Sequence, residues 1–449
     1  MSRIYMGTAL TVALLTTVAP NVWAADANSD AEIKLLKQQV QMMQARLDQL
    51  EEKEKQQDAT IATAATSTPP PVDNTPAPSG PQSNDNAFNP AISAVLNGHY
   101  AAFNGHNPTI SGFGAGDEGG RIAEGLALDE AEIGLSSNVD DKFAANVIAS
   151  LSEQNGETEV ELEEAYIRTL GLPYGLGLKM GRFLTPVGYL NEHHAHTDDF
   201  ADRPLPNRMF LNNSYKDDGV MASWILPTDM YSEIGVGGFR GGNFPAGSPD
   251  GSDIGAALAY GRIGGDIGEN SSWLFGLSAL QAKPGSRSGN DGNVTFKGDS
   301  DLYVASLRYN WAPTGNSELQ DINLQGEYFW RNEDGTYEDS NLGTGAVPYD
   351  GNQSGWYAQA VYKFAPQWRV GARYSQVDPG DTPSGLIGSA LDSGGHDPWN
   401  AALMGDWTNS EFSRVRLQYG YEEPANGQKD NQVILQYIMS IGAHPAHTF

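Results

Sequence analysis

The sequence lacks cysteine altogether and is poor in basic residues and in long apolar runs. Without cysteine it has neither disulfides nor thiolate metal ligands. Its 27 lysines and arginines face 56 aspartates and glutamates, a formal net charge of -29. This balance argues against nucleic acid as a partner and favours the attraction of cations. No segment approaches the roughly 20 apolar residues that a membrane-spanning helix needs, so we expect no such helix in the mature chain.

The first 24 residues have the order of a secretory signal peptide. Arg3 precedes an apolar run from about residue 9 to residue 19, and Val22-Trp23-Ala24 supplies a cleavage-site pattern. We therefore predict a signal peptide over 1–24 and export of the remainder.

Residues 29–55 predict a helix that associates with copies of itself. Ser29 and Glu32 form a capping box. Apolar residues then recur at spacings of three and four, the seam of a short coiled coil: Ile33, Leu36, Val40, Met43, Leu47 and Leu50. A solitary amphipathic helix is the alternative. Residues 56–90, rich in Pro, Ser, Thr and Ala, predict an extended linker.

From residue 91 to residue 449 the chain alternates apolar and polar residues in short segments. In "RVRLQYGYE", Val415 and Leu417 share one face while Arg414 and Arg416 share the other. We count about sixteen such segments, beginning near Ala91, Gly125, Phe143, Val160, Leu176, Gly219, Met230, Asp253, Ser272, Asp301, Asp321, Trp356, Trp368, Pro398, Phe412 and Gln432. This pattern predicts antiparallel β-strands.

A soluble β-sandwich and a transmembrane barrel both contain such strands, but two features favour the barrel. Trp399 and Trp407 lie at the two ends of one apolar face, as expected for two water–lipid interfaces. Short connections such as "NVDDK" alternate with long ones such as "SRSGNDGNVTFKGD". We therefore predict an all-β membrane protein, an antiparallel transmembrane β-barrel of about 16 strands with an N-terminal α-helical coiled coil in the periplasm.

The segment "YLNEHHAHTDDFADRPLP" falls in the third long loop, Tyr189 to Lys216, which we expect to fold into the barrel. Imidazole and carboxylate groups suit zinc, iron, nickel or copper. The candidate metal ligands are Glu192, His193, His194, His196, Asp198 and Asp199. A transient contact with a divalent or ferric ion, a tight structural site and a solvated loop without metal remain alternatives. A second pair, His444 and His447, ends the last strand and is assigned to barrel closure.

Charged residues on the polar strand faces are candidate pore-lining residues: Glu130, Glu132, Glu164, Glu327, Arg308, Arg369, Arg373, Arg414 and Arg416. If the acidic and basic strands occupy different sectors, a field crosses the lumen and orients solutes. Neighbouring cross-strand ion pairs are the alternative.

Several segments resemble outer-membrane porins. They are "EIGLSSNVDDKFAANVIASLSEQN", "VELEEAYIRTLGLPYGLGLKMGRFLTPVGYLNEHHAHTDDFADRPLPNRMFL" and "DDGVMASWILPTD". The resemblance is to porins related to the phosphate-selective porins, nearest to the coiled-coil-bearing siderophore porins and zinc-regulated outer-membrane proteins. It implies a trimeric or monomeric channel for metal or a metal chelate, in the outer membrane of a Gram-negative bacterium. Phosphate itself fits poorly with the acid-rich loops.

The sequence thus favours a water-filled diffusion channel that prefers cations, metal ions or chelates such as siderophores, with no required cofactor and no enzymatic activity. Its expected partners are outer-membrane lipid and further copies of the chain, a trimer formed through barrel and coiled coil. Tethering of the outer membrane to peptidoglycan through the coiled coil is one alternative. A barrel hydrolase using His194 and Asp198 is another, but no nucleophile motif accompanies it.

Overall fold

The computed structural model describes residues 90–105, 109–154, 157–249, 254–410 and 412–442. The predicted signal peptide, the coiled coil, the linker up to residue 89, His444, His447 and the terminal Phe449 lie outside these residues. In the described part, sixteen long strands form one antiparallel sheet that closes on itself, so the predicted barrel fold is confirmed.

The barrel strands follow one another in the order of the sequence. They are β1 (Ala91–Phe103), β2 (Gly125–Asn138), β3 (Phe143–Gln154), β4 (Glu157–Thr169), β5 (Leu176–Leu184), β6 (Lys216–Ile225), β7 (Tyr231–Phe239), β8 (Ala256–Ile267), β9 (Ser271–Ala282), β10 (Val294–Trp311), β11 (Asp321–Asp339), β12 (Val347–Ala365), β13 (Trp368–Asp378), β14 (Trp399–Ser410), β15 (Ser413–Glu423) and β16 (Asp430–Gly442). The last strand closes the barrel on the first, with Ser93 opposite Gly442 and Phe103 opposite Gln432. Closure leaves no free sheet edge, as a strand-built membrane fold requires.

Side chains alternate between the outside and the inside of the barrel. On β15, Leu417 and Tyr419 are exposed, whereas Arg416 and Gln418 beside them are buried. On β11, Tyr328 and Trp330 are exposed while Arg331 is buried. Apolar groups outside and polar groups inside are the reverse of a soluble core and suit a hydrocarbon surround.

Aromatic rings gather at two levels of the outer face. Tyr374 stacks on Trp399, and Trp399 lies 5.2 Å from the ring centre of Tyr421. Toward the other end of the same strands, Trp368 and Trp407 are neighbours at 6.4 Å. These levels match the two aromatic girdles that flank the apolar band of a membrane barrel.

The two ends of the barrel differ in the length of their connections. Short turns join strands at one end, at 139–142, 170–175, 226–230, 268–270, 312–320 and 366–367, and the long loops lie at the other end. Two short strands, Ser248–Pro249 and Pro284–Gly289, pair with each other at the long-loop end, and the second also pairs with β10.

The sequence-based starts of two strands are wrong. β10 and β12 begin at Val294 and Val347, well before the predicted Asp301 and Trp356. Their first residues are rich in Gly, Asp and Asn, which favours a loop. They nevertheless pair with β11 beyond the membrane level, because Phe296, Tyr337 and Tyr349 bury a small apolar cluster there.

Among the residues that the structure describes, one α-helix, α1 (Leu205–Leu211), lies between β5 and β6, and the other helical segments are single 3-10 turns. No helix in the described ranges is both long enough and apolar enough to cross a membrane.

Candidate functional site

Residues 185–215, which we call the inner loop, connect β5 to β6 and contact the interior face of many other strands. The two ends of the loop are tied by Asn191, whose side chain is fully buried. Its amide nitrogen donates to the carbonyl oxygens of Thr185 and Tyr215, at 2.8 and 2.9 Å, and its amide oxygen accepts from the Tyr215 nitrogen at 2.7 Å. Three bonds from one side chain fix the neck of the loop.

The second half of the inner loop is held by apolar packing. Proline at position 204 precedes α1, and Asn212 in the left-handed conformation, with φ 53°, ends it. All seven residues of the helix are buried. Phe210 stacks on Phe329 of β11 at 5.9 Å and contacts Phe113 edge to face. An apolar cluster inside a barrel with a polar wall therefore anchors the loop on one sector of that wall.

The first half of the inner loop meets an acidic wall. Nδ1 of His194 lies 3.0 Å from Glu163 and its Nε2 lies 3.4 Å from Glu164. Nδ1 of His196 lies 3.2 Å from Glu130. One oxygen of Glu132 is 3.4 Å from Nδ1 of both histidines. Two imidazoles of the loop are thus inserted among four carboxylates of β2 and β4.

A β-bulge explains why two consecutive glutamates share this interior. Ile148 of β3 is opposite Glu164, but Ala149 is opposite Leu162, so Glu163 is the extra residue. Strict alternation would turn Glu163 outward to the lipid, where a charge is costly. The bulge brings the carboxylates of both Glu163 and Glu164 within reach of His194. A pair of acids inside a strand, "ELEEA", is the sequence signal that indicates such a bulge.

The aspartates that follow the histidines meet a basic wall. Asp199 accepts from Arg369 at 2.8 Å, and the backbone oxygen of Asp198 accepts from Arg416 at 2.7 Å. Asp202 accepts from Arg373 at 2.8 Å and from Gln418. The arginines also share Asp406 of β14, which touches Arg369, Arg414 and Arg416. Charge is therefore largely segregated by sector, but cross-strand ion pairs occur in both sectors, since Lys216 of β6 pairs with Glu163 of β4 just as Arg416 of β15 pairs with Asp406 of β14.

Two cavities lie on either side of this crossing segment. The larger, of 520 Å³, reaches the short-turn end at Glu318, and its charged lining consists of Arg308, Lys363, Arg369, Arg373 and Arg414 with Asp198, Asp199, Asp202, Glu318 and Asp321. The smaller, of 160 Å³, lies against β1, β2 and β16. Asp202 lines both cavities. Cations and carboxylates balance in the larger cavity, so it can orient a dipolar solute without strongly favouring one sign of charge.

The six candidate metal ligands of the sequence do not converge on one point. Glu192 pairs with Arg262 of β8, Asp198 with Arg203, and Asp199 with Arg369. His193 bonds the carbonyl of Tyr189. Only His194 and His196 come together, and the carboxylates around them belong to β2 and β4 rather than to the loop.

The candidate pore-lining residues all face the interior, but only some adjoin open space. Arg308, Arg369, Arg373 and Arg414 line the larger cavity and Glu130 the smaller one. The inner loop covers the others. Glu327, for example, accepts hydrogen bonds from the Tyr189 nitrogen and the Tyr357 hydroxyl, and Glu132, Glu164 and Arg416 are also buried.

Burial and charge together set the protonation of the loop residues. Burial lowers the pKa of His193 and raises the pKa of Asp198. Burial also lowers the pKa of His194. The carboxylates of Glu163, Glu164 and Glu132 outweigh this effect and hold the pKa of His194 well above its usual value. For Asp202, burial is outweighed mainly by Arg373, which keeps the pKa of the carboxyl below its usual value.

Comparisons with known proteins support the barrel. No protein-family model matches the chain. An uncharacterized protein of Aquifex aeolicus strain VF5 is 29% identical over 393 residues, 81% of this chain and 80% of that protein. The chain resembles the solved anion-selective porin of Comamonas acidovorans with a TM-score of 0.51 at 11% identity, covering 79% of this chain and 99% of that one. For the outer-membrane channel DcaP of Acinetobacter baumannii the TM-score is 0.49 at 13% identity, covering 78% and 97%. At such identity the Comamonas likeness shows the shared barrel fold.

Proposed function

We propose that this protein is an outer-membrane channel through which small polar solutes diffuse passively. The observation that carries the proposal is the inverted barrel: apolar side chains cover the outside, and a charged cavity of 520 Å³ occupies part of the inside. A barrel of sixteen strands is wide enough to enclose water, and polar walls lower the cost of moving hydrated solutes through it.

The inner loop is the proposed constriction. Its segment from His194 to Arg203 separates the two cavities, and Asp202 is common to both. We expect solutes that pass from one cavity to the other to pass Asp202, which lines both cavities, and its partner Arg373. The constriction would therefore act by size and by the local field of one bound ion pair.

We further propose that the channel prefers cations to anions. The net charge of -29 favours a higher local concentration of cations, including metal ions and positively charged chelates. One observation favours the opposite preference: among the described residues, Lys363 in the larger cavity has no ion pair within 4.0 Å, and Arg414 reaches Asp406 only at 4.0 Å. Anions are therefore the second candidate class, and they are also the class named for the Comamonas porin.

The hydrolase alternative has little support from the geometry. His194 and Asp198 would need to pair, yet His194 contacts the glutamates of β4 and Asp198 pairs with Arg203. A trimer, a role of the coiled coil in assembly and a contact with peptidoglycan stay predictions, as does the kinship with siderophore or phosphate porins.

Single-channel recording in planar lipid bilayers tests the proposal. Purified mature protein should give discrete conductance steps, and reversal potentials in a KCl gradient should give the cation-to-anion permeability ratio. A ratio above one supports the cation preference and a ratio below one the anion preference. Protein that inserts into the bilayer and conducts no ions would overturn the channel.

A further inference from the structure

The residues around His194 and His196 carry an inference beyond the channel. We propose that Glu130, Glu132, Glu163, His194 and His196 form a binding site for divalent transition-metal ions, in which Glu132 is the shared ligand of two adjacent positions. Zn²⁺ is the ion that we expect to fit.

Two three-residue sets define the positions. Glu132, Glu163 and His194 form one, and Glu130, Glu132 and His196 form the other, with the potential ligand atoms of each set within 4.8 Å of one another. The Glu132 oxygen lies between the imidazoles, 3.4 Å from Nδ1 of each. A carboxylate in this place can bridge two ions, as in sites whose metals lie about 3.5–4 Å apart.

The spacing of the ligand atoms suits a tetrahedral ion. Zn–N and Zn–O bonds of about 2.0–2.2 Å place neighbouring tetrahedral ligands roughly 3.3–3.5 Å apart. The nitrogen–oxygen distances to His194 and His196 are 3.0 to 3.4 Å. An ion therefore needs only small side-chain movements to enter.

One carboxylate oxygen of Glu132 lacks a hydrogen bond from the described part of the chain, which supports the metal site independently of the spacing. Glu132 is only 5% exposed, yet its Oε2 accepts no hydrogen bond within the residues that the structure describes. Nδ1 of His194 carries at most one proton, and Glu163 is nearer to it than Glu132. A buried carboxylate oxygen that lacks a donor costs free energy, and a metal ion would satisfy it.

Outer contacts hold the ligands in place. The second oxygen of Glu163 faces Lys216 at 3.6 Å. Glu164, beside the site, accepts from the Leu184 nitrogen at 3.0 Å and touches Nε2 of His194. Such contacts fix the orientation of metal ligands. Imidazole nitrogens in the set favour Zn²⁺, and also Fe²⁺, Ni²⁺ or Cu²⁺, over Mg²⁺ and Ca²⁺, which prefer oxygen alone.

The consequence of binding would be mechanical. His194 and His196 belong to the inner loop, whereas all three glutamates belong to the wall. An ion shared between them joins the loop to β2 and β4 more firmly than hydrogen bonds do, and it would stabilise the folded barrel by an amount that grows with the logarithm of the ratio of free metal to its dissociation constant.

Equilibrium dialysis of the full mature chain in detergent, after treatment with EDTA, tests the site. We expect one to two Zn²⁺ per chain at micromolar free metal, no uptake of Mg²⁺ under the same conditions, and, with Co²⁺ as a probe, the visible absorption of a tetrahedral ion. Zn²⁺ should also raise the melting temperature of the detergent-solubilised barrel.

Two variants and two controls locate the metal. The double variant His194→Ala/His196→Ala should lose Zn²⁺ uptake, and the isosteric Glu132→Gln should weaken it at least about tenfold. His193→Ala, next to the site, and His396→Ala, in the 379–398 loop, should bind as the parent does. Heat-modifiable migration on gels verifies that each variant folds, and Glu132→Gln keeps the test valid if the double variant does not. Failure of the parent to bind Zn²⁺, or unchanged binding by Glu132→Gln, would overturn the proposal without touching the channel.

Discussion

Neutralising Asp202 should move the ion selectivity of the channel toward anions. The carboxylate lies between the two interior cavities and is bound by Arg373 and Gln418. Asp202→Asn keeps the shape of the side chain and its hydrogen bond with Gln418, but it removes one negative charge and leaves the charge of Arg373 unbalanced.

The size of the effect follows from the cavity. Its 520 Å³ correspond to a sphere of roughly 5 Å radius, so an ion at the centre lies about 5 Å from the carboxylate, where unit charges in water interact by about 0.8 kcal/mol. Screening over a Debye length of about 8 Å at 0.15 M salt leaves about 0.4–0.5 kcal/mol. Cation occupancy should fall about twofold and anion occupancy rise about twofold, which lowers the permeability ratio about fourfold.

Reversal potentials in bilayers measure this ratio directly. Asp141→Asn is the matched control, because Asp141 is exposed on the 139–142 turn and the substitution changes net charge equally. The shift for Asp202→Asn should shrink as the salt concentration is raised. An unchanged ratio at low salt, or an equal shift in the control, would refute the placement of the conducting path past Asp202.

Three further predictions concern the loop, the wall and the N-terminal segment. Asp406→Asn leaves Arg369, Arg414 and Arg416 without their shared buried carboxylate, so the free energy of unfolding in urea and detergent should fall by about 3–5 kcal/mol; a loss below 1 kcal/mol would contradict the importance of this pairing. Asn191→Ala removes the three hydrogen bonds at the loop neck, which should destabilise the fold by about 1–3 kcal/mol for each buried group left unsatisfied. Current noise and proteolysis within the inner loop should increase, and noise and cleavage rates equal to the parent's would contradict that function of Asn191. Deletion of residues 31–89 should leave single-channel conductance unchanged while abolishing co-sedimentation with peptidoglycan if the segment is a tether; retained co-sedimentation would exclude the tether.

The barrel could be predicted from the sequence because one rule acts on every strand. Each strand that crosses lipid must alternate, and a one-residue error would place a charge such as Arg416 in hydrocarbon. That is why fourteen of the sixteen predicted starts lie within three residues of the observed ones. Outside the membrane, strand residues need not alternate between apolar and polar. The sequence therefore predicts loops where β10 and β12 extend beyond the membrane.

The contacts of the inner loop could not be predicted in the same way. The sequence predicts that the histidines and aspartates of the loop form one metal-binding cluster, because they are close together in the chain. Their partners are instead set by which strands face the loop across the barrel, a long-range property. Glu163 is not among the predicted inward-facing residues, because the β-bulge interrupts the alternation of inward and outward side chains on which that prediction depends.

The order of charges along the inner loop follows from the path that it takes. The loop first contacts β9, β11 and β8 through Gly188, Tyr189 and Glu192, then the acidic strands β2 and β4, and last the basic strands β13 to β15. His194 and His196 therefore come before Asp199 and Asp202, and the reverse order would set like charges against each wall. Since these pairs are buried, salt screens them weakly. A multivalent cation bound at the acidic wall acts only on the contacts of His194 and His196. It leaves the contact between Asp202 and Arg373 in place. Zn²⁺ should therefore change the mobility of the loop, seen as current noise, while the permeability ratio set at Asp202 stays nearly constant.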